Sequence, residues 1–175
     1  MIFQFFRRTR DDPSIASLYG TIVAQARAKA LYQRFRVPDT VNGRLEMILL
    51  HVVLLLRRLN DEPNGAPWGQ AVFDLFCQDM DDNLREMGVS DLKVPKRMQA
   101  FGEAFYGRTA AYDMALTDGR EAFAQAICKN VLNGEHIEQA RVLAAYAEAA
   151  IAHQAALQDA ALVSASWEFP SPNSV

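Results

Sequence analysis

Cysteine is nearly missing from this chain of 175 residues, where Cys77 and Cys128 are the only two. Two thiols cannot make a disulfide framework, and they fit a reducing compartment in which small buried thiols are ordinary. Nine glycines and seven prolines are too few for a fibrous or loop-rich chain. There is no apolar run of about 20 residues, the length that a bilayer-spanning helix needs. A secretory signal is also missing, because the apolar stretch Met1–Phe6 is short, broken by Gln4 and followed by arginines. The dinucleotide-binding, P-loop, G-x-S-x-G and C-x-x-C signatures are all absent. His51, His136 and His153 lie far apart, and none has a second histidine at metal-ligand spacing, so neither metal nor cofactor is expected. An excess of positive charge is lacking too. With 18 Lys and Arg against 21 Asp and Glu and a pI near 5.6, dense nucleic-acid binding is disfavoured and DNA is not an expected partner.

What is present is an ordinary globular composition, half hydrophobic and 22% charged. A chain of this length buries roughly 70% of the surface it exposes when unfolded, so its core needs no staples. The net charge of −3 hides an asymmetry. Residues 1–36 carry Arg7, Arg8, Arg10, Arg27, Lys29, Arg34 and Arg36 against Asp11 and Asp12, a local +5 that leaves −8 to the rest. A basic leading segment seeks an anionic surface, whether lipid, RNA or acidic protein.

Apolar residues recur at steps of three and four throughout, and nothing alternates at period two. Asp12-Pro13-Ser14 is a helix start, and Ile15, Leu18, Tyr19, Ile22, Val23, Ala26 and Ala30 line one stripe that ends near Phe35, ahead of Pro38. Asp39 or Thr40 caps a second helix to about Asn60. Its segment Met47–Leu56 is apolar except for His51, the pattern of a central buried helix, and His51 is read there as a neutral core histidine whose pKa burial lowers. A third helix runs from about Trp68 to Met87, with Val72, Leu75, Phe76, Met80, Leu84 and Met87 facing inward, and Gly88 suits the left-handed position after it. A fourth starts near Pro95 on Met98, Phe101, Phe105, Tyr112, Ala115 and Leu116. After Thr117-Asp118-Gly119 a shorter helix follows through Phe123, Ile127 and Val131, closed by Asn133-Gly134. The last spans about Glu135–Val163. The expected organisation is an all-α, single-domain bundle of about six helices over residues 13–163, between a basic and aromatic segment 1–12 and a flexible tail 164–175 in which Trp167 and Phe169 could dock.

Few residues carry chemistry. Asp79-Met80-Asp81-Asp82-Asn83 resembles the start of a calcium loop, but Leu84 and Ser90 stand where that loop needs Gly and Glu, so the acids read as a solvated helix face pairing with Arg85. Arg85, Lys93, Lys96 and Arg97 surround the turn before Pro95, and Arg108 follows inside Phe105-Tyr106-Gly107-Arg108. Such residues either pin helix ends or form a partner surface, where Arg and Tyr are enriched. Ile2, Phe3, Phe5 and Phe6 beside three arginines are the ingredients of an interfacial membrane contact through residues 1–10.

Two sets of motifs carry a family resemblance. Tyr19, Ala26-Arg27, Tyr32, Val37-Pro38-Asp39-Thr40, Gly43-Arg44 with Glu46, and His51 resemble the first half of the ubiquinol–cytochrome c chaperone domain. Asp79-Met80-Asp81, Leu84–Val89, Asp91-Leu92, Val94–Met98 and Phe105–Arg108 with Tyr112 are similar to its second half. The resemblance covers residues 18–116 in order, and Leu45 replaces an aromatic of the family pattern.

The resemblance implies a non-enzymatic assembly factor of respiratory complex III that binds newly made cytochrome b. It further implies contacts with a small partner protein and with the ribosome. Without the long Arg- and Ser-rich leader of a mitochondrial precursor, a bacterial member is expected, in the cytoplasm and peripheral to the inner membrane. Arg27, Tyr32, Asp39, Arg44, Arg85, Asp91, Lys96, Arg97, Tyr106, Arg108 and Tyr112 are the expected partner surface or its scaffold, with Asp39 and Asp91 also open as helix caps. Two other functions stay open. An all-helical isoprenoid or quinone enzyme would need an aspartate cluster such as D-D-x-x-D, and Asp81–Arg85 ends in the wrong charge. An adaptor for ribosomes or RNA would act through residues 1–36 and lose binding steeply with salt.

Overall fold

The computed structural model describes residues 13–63, 65–158, 161, 162, 164 and 166–174. Among these there is no strand; six long helices and one of five residues build one bundle. They are α1 (Pro13–Ala26), α2 (Lys29–Gln33), α3 (Val41–Asn60), α4 (Ala66–Glu86), α5 (Val94–Asp118), α6 (Arg120–Val131) and α7 (Ile137–Ala156). The basic segment 1–12 lies outside the described residues.

The central place expected for the most apolar helix is where α3 sits. It packs against α1, α4, α6 and α7, and every residue from Glu46 to Leu55 is buried. Thr40, not Asp39, caps it: the Thr40 hydroxyl accepts from the Gly43 amide at 3.1 Å. Gly43 is there because the chain doubles back tightly. A Cβ on it would stand 2.0 Å from the Pro38 carbonyl oxygen.

The first expected helix is broken in two. Ala26 and Leu31 are both fully buried, yet five residues of continuous helix would point them about 140° apart. Ala28 takes an extended backbone (φ −59°, ψ 124°), which re-aims the stripe. The Tyr32 hydroxyl donates to the Ala26 carbonyl at 2.6 Å, satisfying a backbone group that the break frees. Further on, Phe35 and Val37 both turn inward while Arg36, at φ 57°, stays outside.

At the end of α4, Gly88 has the expected left-handed φ of 80°. The Val89 amide returns to the Leu84 carbonyl at 3.0 Å and the Gly88 amide to Arg85 at 2.9 Å, a Schellman turn. Met87 is not inward-facing as expected but 63% exposed, since it lies past the last helical residue, where the helical period no longer places side chains. Asp91 does not cap α5; the Ser90 carbonyl takes the Lys93 and Val94 amides instead.

The last helix stops at Ala156 rather than near Val163. Arg58 donates to the terminal carbonyls of Gln154 and Leu157, at 3.1 and 3.3 Å, which supplies the partners a helix end needs. The segment expected to be a flexible tail is docked, as its two aromatics could be. Trp167 and Phe169 are buried, and the Pro170 and Pro172 carbonyls accept from Gln25 on α1 (3.2 Å) and from Arg34 (2.9 Å). Burial of two large rings offsets the ordering of so short a stretch.

That segment covers a buried polar chain. Gln25 donates to the Tyr146 hydroxyl at 2.8 Å, Tyr146 lies 2.7 Å from His51 Nε2, and His51 Nδ1 lies 2.7 Å from the Met47 carbonyl. The carbonyl accepts, so Nδ1 carries the proton and Nε2 accepts from Tyr146. Phe169 meets the imidazole edge-on at 4.9 Å. His51 is the neutral core histidine expected, with two partners; burial lowers its pKa to about 4.

Candidate functional site

The eleven residues expected to form one surface separate into three groups. The first is a cavity of about 370 Å³ lined by Arg27, Lys29, Tyr32, Gln33, Asp39 and Arg44. Arg27 occupies the break between α1 and α2. Lys29, Tyr32 and Gln33 share one face of α2 at i, i+3 and i+4. Asp39 and Arg44 straddle the start of α3 and pair at 2.7 Å with both side chains more than half exposed. Arg44 holds the Asp39 carboxyl below its ordinary pKa through that hydrogen bond, while burial raises the Tyr32 phenol. Lys29 and Gln33 were not singled out from sequence, although their spacing about Tyr32 was there to find them.

The second group surrounds the turn between α4 and α5. Arg85 binds Asp81 one turn back at 2.5 Å and reaches over to Asp91. Lys96 and Arg97, on the first turn of α5, are exposed and make no ion pair among the described residues. Beside them stand two apolar side chains in water, Met87 and, at 94% exposure, Leu92. Tyr106, 64% exposed, lies about 14 Å further along α5 and half a turn round from Arg97. Its ring lies 6.0 Å from Phe73 and 5.7 Å from Phe105, at the margin of an aromatic cluster that also holds Phe76 and Phe101.

The third group is internal, so of the two expected roles, surface or its scaffold, it takes the scaffold one. Arg108 is spent on Glu46 of α3, with Nε to Oε2 at 2.9 Å and Nη2 to Oε1 at 2.6 Å. The carboxylate is buried and the guanidinium half-buried. Tyr112 is fully buried against Phe123, ring centroids 5.9 Å apart. Burial pushes its phenol above the ordinary range, and its hydroxyl meets no partner in good geometry, with Asn130 its polar neighbour. These two side chains hold α5 to α3 and to α6.

Among the described residues no group of three or more His, Cys, Asp and Glu is placed to hold a metal. No helix among them is long and apolar enough to cross a membrane. The arrangement places a basic cavity at one place and an apolar tip flanked by cations at another.

Residues 33–169 match the sequence pattern of the family described as ubiquinol-cytochrome C chaperone. The chain belongs to this family. It is similar to a protein of Xenopus laevis named ubiquinol-cytochrome-c reductase complex assembly factor 1, with 22% identity over 117 residues. The Mus musculus protein of the same name is 25% identical over 117 residues. These matches take in 66% of this chain but only 58% of the frog protein and 40% of the mouse protein. Among solved structures, the fold is similar to that described as the Cbp3 homolog from Brucella abortus, with a TM-score of 0.86 and 37% identity over 100% of this chain and 99% of that one. The motif resemblance covered residues 18–116; the family match runs on through α6 and α7 to the docked Phe169.

Proposed function

We propose that this chaperone-family member is an assembly factor for the ubiquinol–cytochrome c reductase complex that holds cytochrome b before it is built in. It acts without catalysis of its own, at the cytoplasmic face of a bacterial inner membrane. The family match over residues 33–169 is the observation that carries this reading, and the assembly-factor names of its relatives support it.

The α4–α5 tip suits such a client. An unassembled membrane protein exposes apolar helix surface that a helical partner can cover. Met87 and Leu92 supply apolar contact, and Lys96 and Arg97 are cations that make no ion pair among the described residues. Aromatic and apolar anchors within a charged rim are how protein interfaces concentrate their binding energy. Residues 1–10 add a peripheral membrane contact in this reading.

The test is affinity purification from solubilised membranes with the doubly reversed variant Lys96→Glu, Arg97→Glu. Both side chains are exposed and make no ion pair among the described residues, so thermal stability should hold while recovery of cytochrome b falls about tenfold, a loss of roughly 1.4 kcal/mol. If the variant still captures cytochrome b fully and supports complex assembly, the tip is not the client site. If the unmodified protein enriches no cytochrome b over other membrane proteins, the function itself is wrong.

A further inference from the structure

The cavity between α2 and the start of α3 calls for a different explanation from the α4–α5 tip. The chain as a whole is acidic, yet the stretch from Arg27 to Arg44 carries five cations (Arg27, Lys29, Arg34, Arg36, Arg44) against Asp39 alone. Three of the five face one concavity, and Asp39 is the single carboxylate in its lining. Like charges converge there at an electrostatic cost that an anion would remove.

Elsewhere in the protein arginines are neutralised as a rule. Arg57 pairs with Asp113, Arg58 with Glu62, Arg85 with Asp81, Arg108 with Glu46, Arg120 with Glu148 and Arg141 with Glu121. Arg27 and Lys29, like Lys96 and Arg97 at the α4–α5 tip, make no ion pair among the described residues, and here they share one concavity with a third cation. The third cation is easily recruited. The Arg44–Asp39 pair is exposed on both sides, and such pairs contribute little in water, so the guanidinium is available to a stronger anion.

The shape agrees. About 370 Å³ lies within the range of small-ligand sites and exceeds what one free ion needs. Tyr32 cannot offer its proton, since its hydroxyl is held by the Ala26 carbonyl. That bond fixes the ring as a wall, and Gln33 adds a neutral amide donor. Two guanidinium forks and an ammonium suit the tetrahedral, multiply accepting oxygens of phosphate better than a planar carboxylate. The break that splits the first helix therefore also contributes to this site, because Arg27 within it lines the cavity together with Arg44.

We propose that this cavity binds a phosphate-bearing group, held by Arg27, Lys29 and Arg44 with Gln33 as neutral donor and the Tyr32 ring as wall. The group belongs either to an anionic phospholipid headgroup or to a soluble phosphate compound, and one experiment separates the two. The full chain is compared with Arg27→Gln, Lys29→Gln and with the control Lys96→Gln, Arg97→Gln, which removes the same charge elsewhere. Each is sedimented with vesicles of equal parts phosphatidylglycerol and phosphatidylcholine, and each is titrated with inorganic phosphate followed by phosphorus NMR.

The cavity variant should lose about tenfold in affinity relative to the control variant. Loss on vesicles alone assigns a lipid headgroup, and loss with inorganic phosphate as well assigns a soluble phosphate compound. Equal losses in the two variants would mean unspecific attraction and would overturn the proposal. So would the absence of any difference from the unmodified protein in both arms. Cytochrome b capture by the cavity variant is a separate readout, so this site can fail while the assembly function stands.

Discussion

Lowering the pH from 7 to 5 should destabilise this protein through one buried group, His51. Its ring is fully buried, with Nδ1 committed to the Met47 carbonyl and Nε2 accepting from Tyr146. A proton added at Nε2 would face the Tyr146 proton, and the charge would sit among apolar side chains with Phe169 against the ring. The folded pKa is about 4, against about 6.5 in the unfolded chain. Below pH 6.5 the unfolded state binds a proton that the folded state refuses, so stability is whole at neutral pH and falls as pH drops towards 4. The full gap amounts to about 3 kcal/mol, of which about 2 kcal/mol is lost between pH 7 and 5. Carboxyls held low by arginine, such as Asp39 and Glu121, titrate below that window. Urea unfolding at pH 7, 6 and 5, with His51→Gln as reference, isolates the effect, because the two proteins differ only at the buried ring. The unmodified chain should lose about 2 kcal/mol more than the variant. Parallel pH dependences would refute the neutral, doubly bonded histidine.

Two further outcomes follow from the packing. Gly43→Ala places a methyl carbon 2.0 Å from the Pro38 carbonyl oxygen, so the backbone must move; a loss of about 1–3 kcal/mol is expected, and an unchanged thermal midpoint would show that the approach is not so close. Arg108→Met strands the buried Glu46 carboxylate and should cost about 3 kcal/mol, whereas Arg108→Met with Glu46→Leu should recover most of it; additive losses in chemical denaturation would sink the idea that the pair acts as a unit.

How much was legible in the sequence depended on how far apart the partners lie. Helical stripes are local, so the central place of α3, the neutral His51 and the left-handed Gly88 could be read from spacing alone. The break at Ala28 was written there too, in the five-residue step between Ala26 and Leu31, but it becomes visible only when both are known to be buried. Glu46 and Arg108 stand 62 positions apart, and no pattern along the chain marks Arg108 as neutralised rather than available. Tyr112 stands on the apolar stripe seven residues after Phe105, and the structure buries it there. The docked segment carries no helical period, although its two aromatics were open to docking from composition. Trp167 and Phe169 flank the exposed Glu168, the alternation of an extended strip pressed on a surface.

That strip has an optical consequence. The chain holds two tryptophans, Trp68 and Trp167. The Trp167 indole is 7% exposed, donates to the Leu162 carbonyl at 3.0 Å, and lies 4.9 Å from the Phe169 ring, tilted 60° to it. With Trp68 replaced by phenylalanine, the emission colour of the remaining indole becomes a built-in gauge of whether the strip is seated or lifted. Any ligand or client that displaces it would then announce itself as a red shift, with no dye attached.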